Sequence, residues 1–112
     1  MNTLHFIAFG DLQLGVLVFA ISWPLILRKV PMNHLVGIRI PAAFASEQRW
    51  YDLNAYGGRQ LAAWSLLLIA AGLAGFFISP DHLAFYACGS LLAAILAIAL
   101  PLFFILRRSR RP

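Results

Sequence analysis

The sequence predicts an all-α membrane protein: three transmembrane helices, with a structured cytoplasmic segment containing a short helix between the first and second. Three observations carry this. The residues are 62% hydrophobic and 12% charged, against roughly 25% charged in an ordinary soluble domain. The apolar residues gather in three stretches, 4–27, 61–79 and 83–106, each suited to the ~20 residues that cross about 30 Å of hydrocarbon. The nine Lys and Arg residues all fall between the first two stretches or after the third. A water-soluble bundle of these residues would leave large apolar faces exposed. The length fits one domain, residues 1–112.

The first stretch reads as a retained span. It lacks a basic leader, and its apolar run exceeds that of a signal peptide. Asp11 is the one acidic residue inside a span. A carboxylate in hydrocarbon is costly, so it is expected to face the bundle or a cavity. One reading makes it a proton or cation site with Gln13 and His5. The other has it reach headgroups or hydrogen-bond a neighbouring helix. Asp11, Gly15, Val18 and Ser22 share a face at helical spacing.

Residues 28–60 form a connection far longer than the usual helix–helix loop of about 2–8 residues. They include Leu35, Val36, Ile38, Phe44, Trp50 and Tyr51, too much apolar surface for a flexible linker. Pro31 and Pro41 disfavour helix in the residues before them, and Gly37 permits a sharp turn, so residues 30–41 are expected to be extended. Ser46 is a good N-cap, with Glu47 in the first turn where negative charge suits the helix dipole. The short helix runs on through Trp50 and Asn54 to Gly57 and Gly58. Glu47, Trp50, Asn54 and the glycines share a face, which is the expected docking surface. Arg39 pairs either with headgroup phosphate or with Glu47, and Trp50 is expected at the membrane interface. Asn33 and Asn54 are suited to bonding loop backbone.

In the second span, Ser65, Gly72 and Ser79 recur on one face. In the third, Gly89, Ala93 and Ala97 repeat every four residues and are expected to pack tightly on another helix. Trp23, Trp64 and Tyr86 fit an interfacial aromatic belt. The lone Cys88 lies within the third span and is expected to be a buried packing residue with no disulfide partner.

With three spans, the first connection and the C-terminus share a side. The positive-inside rule makes that side cytoplasmic and the N-terminus external. The same distribution places the net charge of +5 at a membrane face and excludes nucleic acid as its reason.

Pro31-Met-Asn33, Gly37-Ile-Arg39-Ile-Pro41, Ser46-Glu47, Trp50, Asn54 and Gly57-Gly58 together resemble the signature of the SdpI/YfhL family. The match of order and spacing covers residues 31–58. It implies a bacterial inner-membrane protein of immunity or stress-response type. The family's founding member gives immunity to a secreted peptide toxin and sequesters a repressor at the membrane. By that resemblance, Pro31, Asn33, Gly37, Arg39, Pro41, Ser46, Glu47, Trp50, Asn54, Gly57 and Gly58 are the candidate partner-binding set. The chain departs from the pattern at Ile40, where the family usually has Thr, and is expected to be a minimal three-span form without the founding member's additional N-terminal membrane region.

No nucleophile–base pair, phosphate loop or metal-ligand cluster is present, and His34 has no second ligand at suitable spacing. The expectation is a non-enzyme without metal or cofactor. Its partners are then the lipid bilayer and either a membrane-active peptide toxin or a cytoplasmic regulator. The alternatives are an accessory subunit of a larger membrane complex, packed through Gly89, Ala93 and Ala97, and a small oligomeric transporter using Asp11.

Overall fold

A computed structural model describes residues 2–110; Arg111, counted above among the basic residues, lies outside them. The elements are α1 (Thr3–Ile26), a 3-10 turn (Pro41–Ala45), α2 (Glu47–Gly75), a second 3-10 turn (Pro80–His82) and α3 (Leu83–Ser109). All three long helices are apolar enough to cross a membrane. With apolar side chains such as Leu17, Phe77, Phe85, Leu91 and Phe103 turned outward, the chain is a multi-pass helical membrane protein.

The side chain of Asn2 caps α1 by accepting from the His5 amide at 2.8 Å. Pro24 lies two residues before its end, where few helical turns follow that a kink could disturb. Arg28 follows with φ 59°, the left-handed conformation that closes helices and that glycine usually supplies.

Ser46 caps α2 as expected, accepting from the Arg49 amide at 3.0 Å. The short helix does not stop before the second span. It is the first part of one continuous 29-residue helix. Glycine costs a helix only about 1 kcal/mol relative to alanine, no proline intervenes, and both Gly57 and Gly58 are buried in contacts. At 1.5 Å per residue α2 is about 43 Å long, more than the ~30 Å hydrocarbon layer. The excess of about 13 Å, roughly nine residues, lets the part carrying Glu47, Arg49, Asp52 and Asn54 project beyond the span.

α2 packs against both other helices, and α1 touches α3 more briefly. The α1–α2 contact is backbone on backbone. A Cβ at Gly72 would lie 2.7 Å from the Leu12 amide and 2.8 Å from the Ala8 carbonyl, and one at Gly15 would lie 2.9 Å from the Ile69 amide. Ser65 and Ser22 complete this small-residue seam, as their spacing implied. Lipid supplies no hydrophobic drive between helices, so such close approach is what holds the pair.

The packing face of α3 differs from the one expected. Tyr86, Ser90, Ala93, Ala97, Pro101 and Ile105 are buried, whereas Gly89 is exposed and an added Cβ there would meet nothing within 4 Å. A strict four-residue repeat drifts around a helix of 3.6 residues per turn, and the mixed spacing of three and four keeps to one face. Tyr86 is buried, not interfacial, and its hydroxyl donates to the Ala71 carbonyl at 2.7 Å. Cys88 falls on the outward face and is exposed. Ser79 lies beyond α2, in the turn, where its hydroxyl accepts from the Asp81 amide at 3.4 Å.

Candidate functional site

The projecting end of α2 holds the loop that precedes it. Trp50 is completely buried, and its indole N–H donates to the Val30 carbonyl at 2.8 Å. Its ring lies 5.3 Å from that of Phe44, which stacks in turn on His34 at 5.6 Å. Ala43 and Leu53 complete this cluster. Trp50 is thus a core residue and not an interfacial anchor. Val30, Ile40 and Phe44 of the loop pack on the same cluster, so α2 covers a hydrophobic side of the loop.

One turn along, Asn54 is 2% exposed and uses its whole side chain. Its Oδ1 accepts from the Ile38 amide at 2.6 Å, while Nδ2 donates to the Trp50 carbonyl at 2.9 Å and, more weakly, to the Ile38 carbonyl at 3.4 Å. A carboxamide presents a donor and an acceptor side by side and so matches a peptide group. Gly37 brings Ile38 to this position with φ 109°. A Cβ on Gly37 would lie 2.7 Å from Asn54 Oδ1 and 3.1 Å from the Trp50 ring, so both backbone conformation and space require glycine.

Gly57 receives the tip of Ile38, which an added Cβ would overlap. Gly58 faces the opposite neighbour, α1, where a Cβ would lie 3.0 Å from the Ser22 carbonyl and from Leu25 Cβ. The two glycines thus admit the loop on one side and the first helix on the other.

The loop also organises itself. Asn33 Oδ1 accepts from the amides of Leu35 and Val36 at 2.8 and 2.7 Å, and its Nδ2 donates to the Pro31 carbonyl at 2.7 Å. This fixes a tight turn without help from the helices. The Arg39 guanidinium donates to the His34 carbonyl, closing the turn from the other end. It does not pair with Glu47, which is exposed in the first turn of α2. Pro41 opens the 3-10 turn, and the Ala43 amide donates to the Ile40 carbonyl at 2.9 Å. Ile40 itself points with Ile38 towards the helices, into apolar surroundings.

Two longer ties frame the arrangement. Arg28 and Asp52 form an ion pair at 2.8 Å, both about half exposed. Arg49 donates to the Ser109 carbonyl at 2.9 Å, joining the start of α2 to the end of α3.

The face of α2 expected to receive a partner therefore receives residues 30–44 of the same chain. Asn33, Gly37, Trp50, Asn54, Gly57 and Gly58 build the platform from within. The outward surface belongs to residues that the motif does not emphasise: Met32, Leu35 and Val36, with Leu35 85% exposed. Apolarity in an otherwise non-helical loop was the available signal for them, but that loop's inner and outer sides could not be told apart without a period.

Asp11 lies apart from this site, in the bundle. It accepts a hydrogen bond from Ser90 Oγ on α3. Gln13 is exposed on another face of α1, and His5 lies against Phe76, so the three polar groups do not converge.

The sequence model of the SdpI/YfhL protein family matches residues 29–106, which takes in the loop, α2 and nearly all of α3. No curated protein and no solved structure matches the chain.

Proposed function

Because the chain belongs to the SdpI/YfhL protein family, we propose that it is an immunity or stress-response protein of the bacterial inner membrane. In this reading residues 31–58 form a prefolded recognition platform, which meets a membrane-active peptide or a cytoplasmic regulator through Met32, Leu35 and Val36, with His34 and Arg39 beside them. The single observation that supports it is the exposure of Leu35 and Val36 on a loop whose base is fixed. Leu35 is 85% and Val36 51% exposed, although the adjoining Asn33 and Gly37 are tightly bonded or packed. An apolar tip held in one conformation loses little entropy on binding.

The protein works by binding and not by catalysis, with no cofactor. The positive-inside rule places the platform in the cytoplasm and the N-terminus outside, since the basic residues of the loop and of the α3 terminus share one side.

Expression in a sensitive bacterium, challenged with a panel of membrane-active peptides, tests this. Wild-type protein should protect against at least one peptide, and Leu35→Asp with Val36→Asp should remove protection while the amount of protein in the membrane is unchanged. Equal survival with the double variant, or no protection by wild type across the panel, would refute the immunity reading.

A further inference from the structure

The hydroxyl, carboxyl and carboxamide groups deep in the bundle are bonded, with one exception. Ser22, Ser65 and Tyr86 donate to the carbonyls of Val18, Ala62 and Ala71, and Ser90 donates to the Asp11 carboxylate. Gln13 is exposed, and among the described residues its carboxamide bonds nothing. It lies about 15 Å from the start of α1 and about 20 Å from its end. That places it near the middle of the hydrocarbon layer, out of its side chain's reach of water. An unbonded amide in such a medium is costly.

The missing partner cannot come from the chain's own bundle. At 100° per residue, Gln13 lies about 160° around α1 from Gly15, in the seam with α2, and as far from Asp11, which faces α3. It therefore points away from both other helices.

A second copy supplies what is missing. Copies of one chain insert with one orientation, since the same basic residues orient each, so every Gln13 lies at the same depth. A carboxamide carries a donor and an acceptor and is self-complementary. About a two-fold axis along the membrane normal, each Nε2 donates to the other's Oε1. A foreign helix would need a polar group at that one depth, and an identical helix always has it. The surroundings permit close approach. Gly10, Leu17 and Ala20 fall within about 60° of Gln13 and are exposed, and a Cβ at Gly10 would meet nothing within 4 Å. We propose that the outward face of α1 is the interface of a parallel two-fold dimer, joined at its centre by reciprocal hydrogen bonds between the two Gln13 carboxamides. Such a dimer sets two loop platforms on one side of the membrane, whatever they bind.

Donor- and acceptor-labelled copies of the full chain, diluted over a range of protein-to-lipid ratios in phosphatidylcholine–phosphatidylglycerol vesicles, report association by energy transfer. Wild type should dimerise, and Gln13→Leu should raise the dissociation constant about tenfold with helical content unchanged by circular dichroism. Crosslinking tests the same face with Gln13 intact. In a Cys88→Ser background, oxidation of bacterial membranes should join two copies through Leu17→Cys or Ala20→Cys, and not through Leu91→Cys on the outward face of α3. Wild type that stays monomeric at the highest protein-to-lipid ratio would overturn the dimer, as would an unchanged dissociation constant in Gln13→Leu. So would crosslinks through Leu91→Cys alone, or a foreign chain joined at Leu17→Cys in place of a second copy.

Discussion

The side-chain amide of Asn54 pairs with both backbone groups of Ile38, accepting from its N–H at 2.6 Å and donating to its carbonyl at 3.4 Å. A residue on a continuous helix thereby does for the loop what a neighbouring strand would do. The pairing sets the height of Ile38 so that its tip enters the space over Gly57 and its neighbour Ile40 faces the bundle. Anything that shifts this pair moves the loop's outward surface with it.

Asn54→Leu should therefore be damaging although it is apolar and similar in size. It leaves the Ile38 amide buried without a partner, a loss of about 1–3 kcal/mol. Thermal unfolding in mild detergent should show a lower midpoint, and limited proteolysis should cut within residues 30–45 while α1 and α3 remain intact.

Gly37→Ala and Trp50→Phe separate conformation from bonding at the same place. Gly37→Ala forces a side chain into a positive-φ position, costing about 1–3 kcal/mol, and crowds Asn54 Oδ1 at 2.7 Å. Trp50→Phe keeps an aromatic ring but strands the Val30 carbonyl, for about 1 kcal/mol. Detergent melting should rank wild type above Trp50→Phe and Trp50→Phe above Gly37→Ala.

A contrast between two glycines tests the helix seam. Gly72→Ala brings a methyl to 2.7 Å of the Leu12 backbone, where no side chain can turn aside, and should destabilise the α1–α2 contact by about 1–3 kcal/mol. Gly89→Ala meets open space and should leave the melting temperature unchanged or slightly raised through better helix propensity. The opposite order would mean that α3, and not α1, makes the close contact with α2.

Orientation can be read with cysteine labelling in a Cys88→Ser background. A membrane-impermeant maleimide applied to intact cells should label Ser79→Cys and spare Ser109→Cys until the cells are opened. Labelling of Ser109→Cys from outside would invert the proposed topology and remove a cytoplasmic regulator from the possible partners.

The ion pair between Arg28 and Asp52 should contribute little. Both side chains are about half exposed, and such pairs are worth ~0–1 kcal/mol. Asp52→Asn should shift the melting midpoint by no more than about 5 °C, so a larger shift would assign Asp52 a structural role beyond this pair.

Composition and the lengths of the apolar stretches determined the three helices, because the hydrocarbon thickness fixes how many residues must be apolar. The Ser46 cap, the turn at Gly37 and the loop-bonding roles of Asn33 and Asn54 were also legible, since each depends on local chemistry within a few residues. The order of motif residues identified the family. Other features waited for the tertiary structure. The Gly57-Gly58 pair reads as a place for a helix to end, yet the loop and α1 pack on either side of it and the helix continues. Trp50 suits an interface or a core equally well in sequence, and the Val30 carbonyl and the Phe44 ring decided for the core. Ser90 and not Gly89 faces inward, a difference of one residue and about 100° on the helix. Local pattern sets what each segment can bury, and only the assembled neighbours determine which side is covered and which is left to meet lipid or a partner.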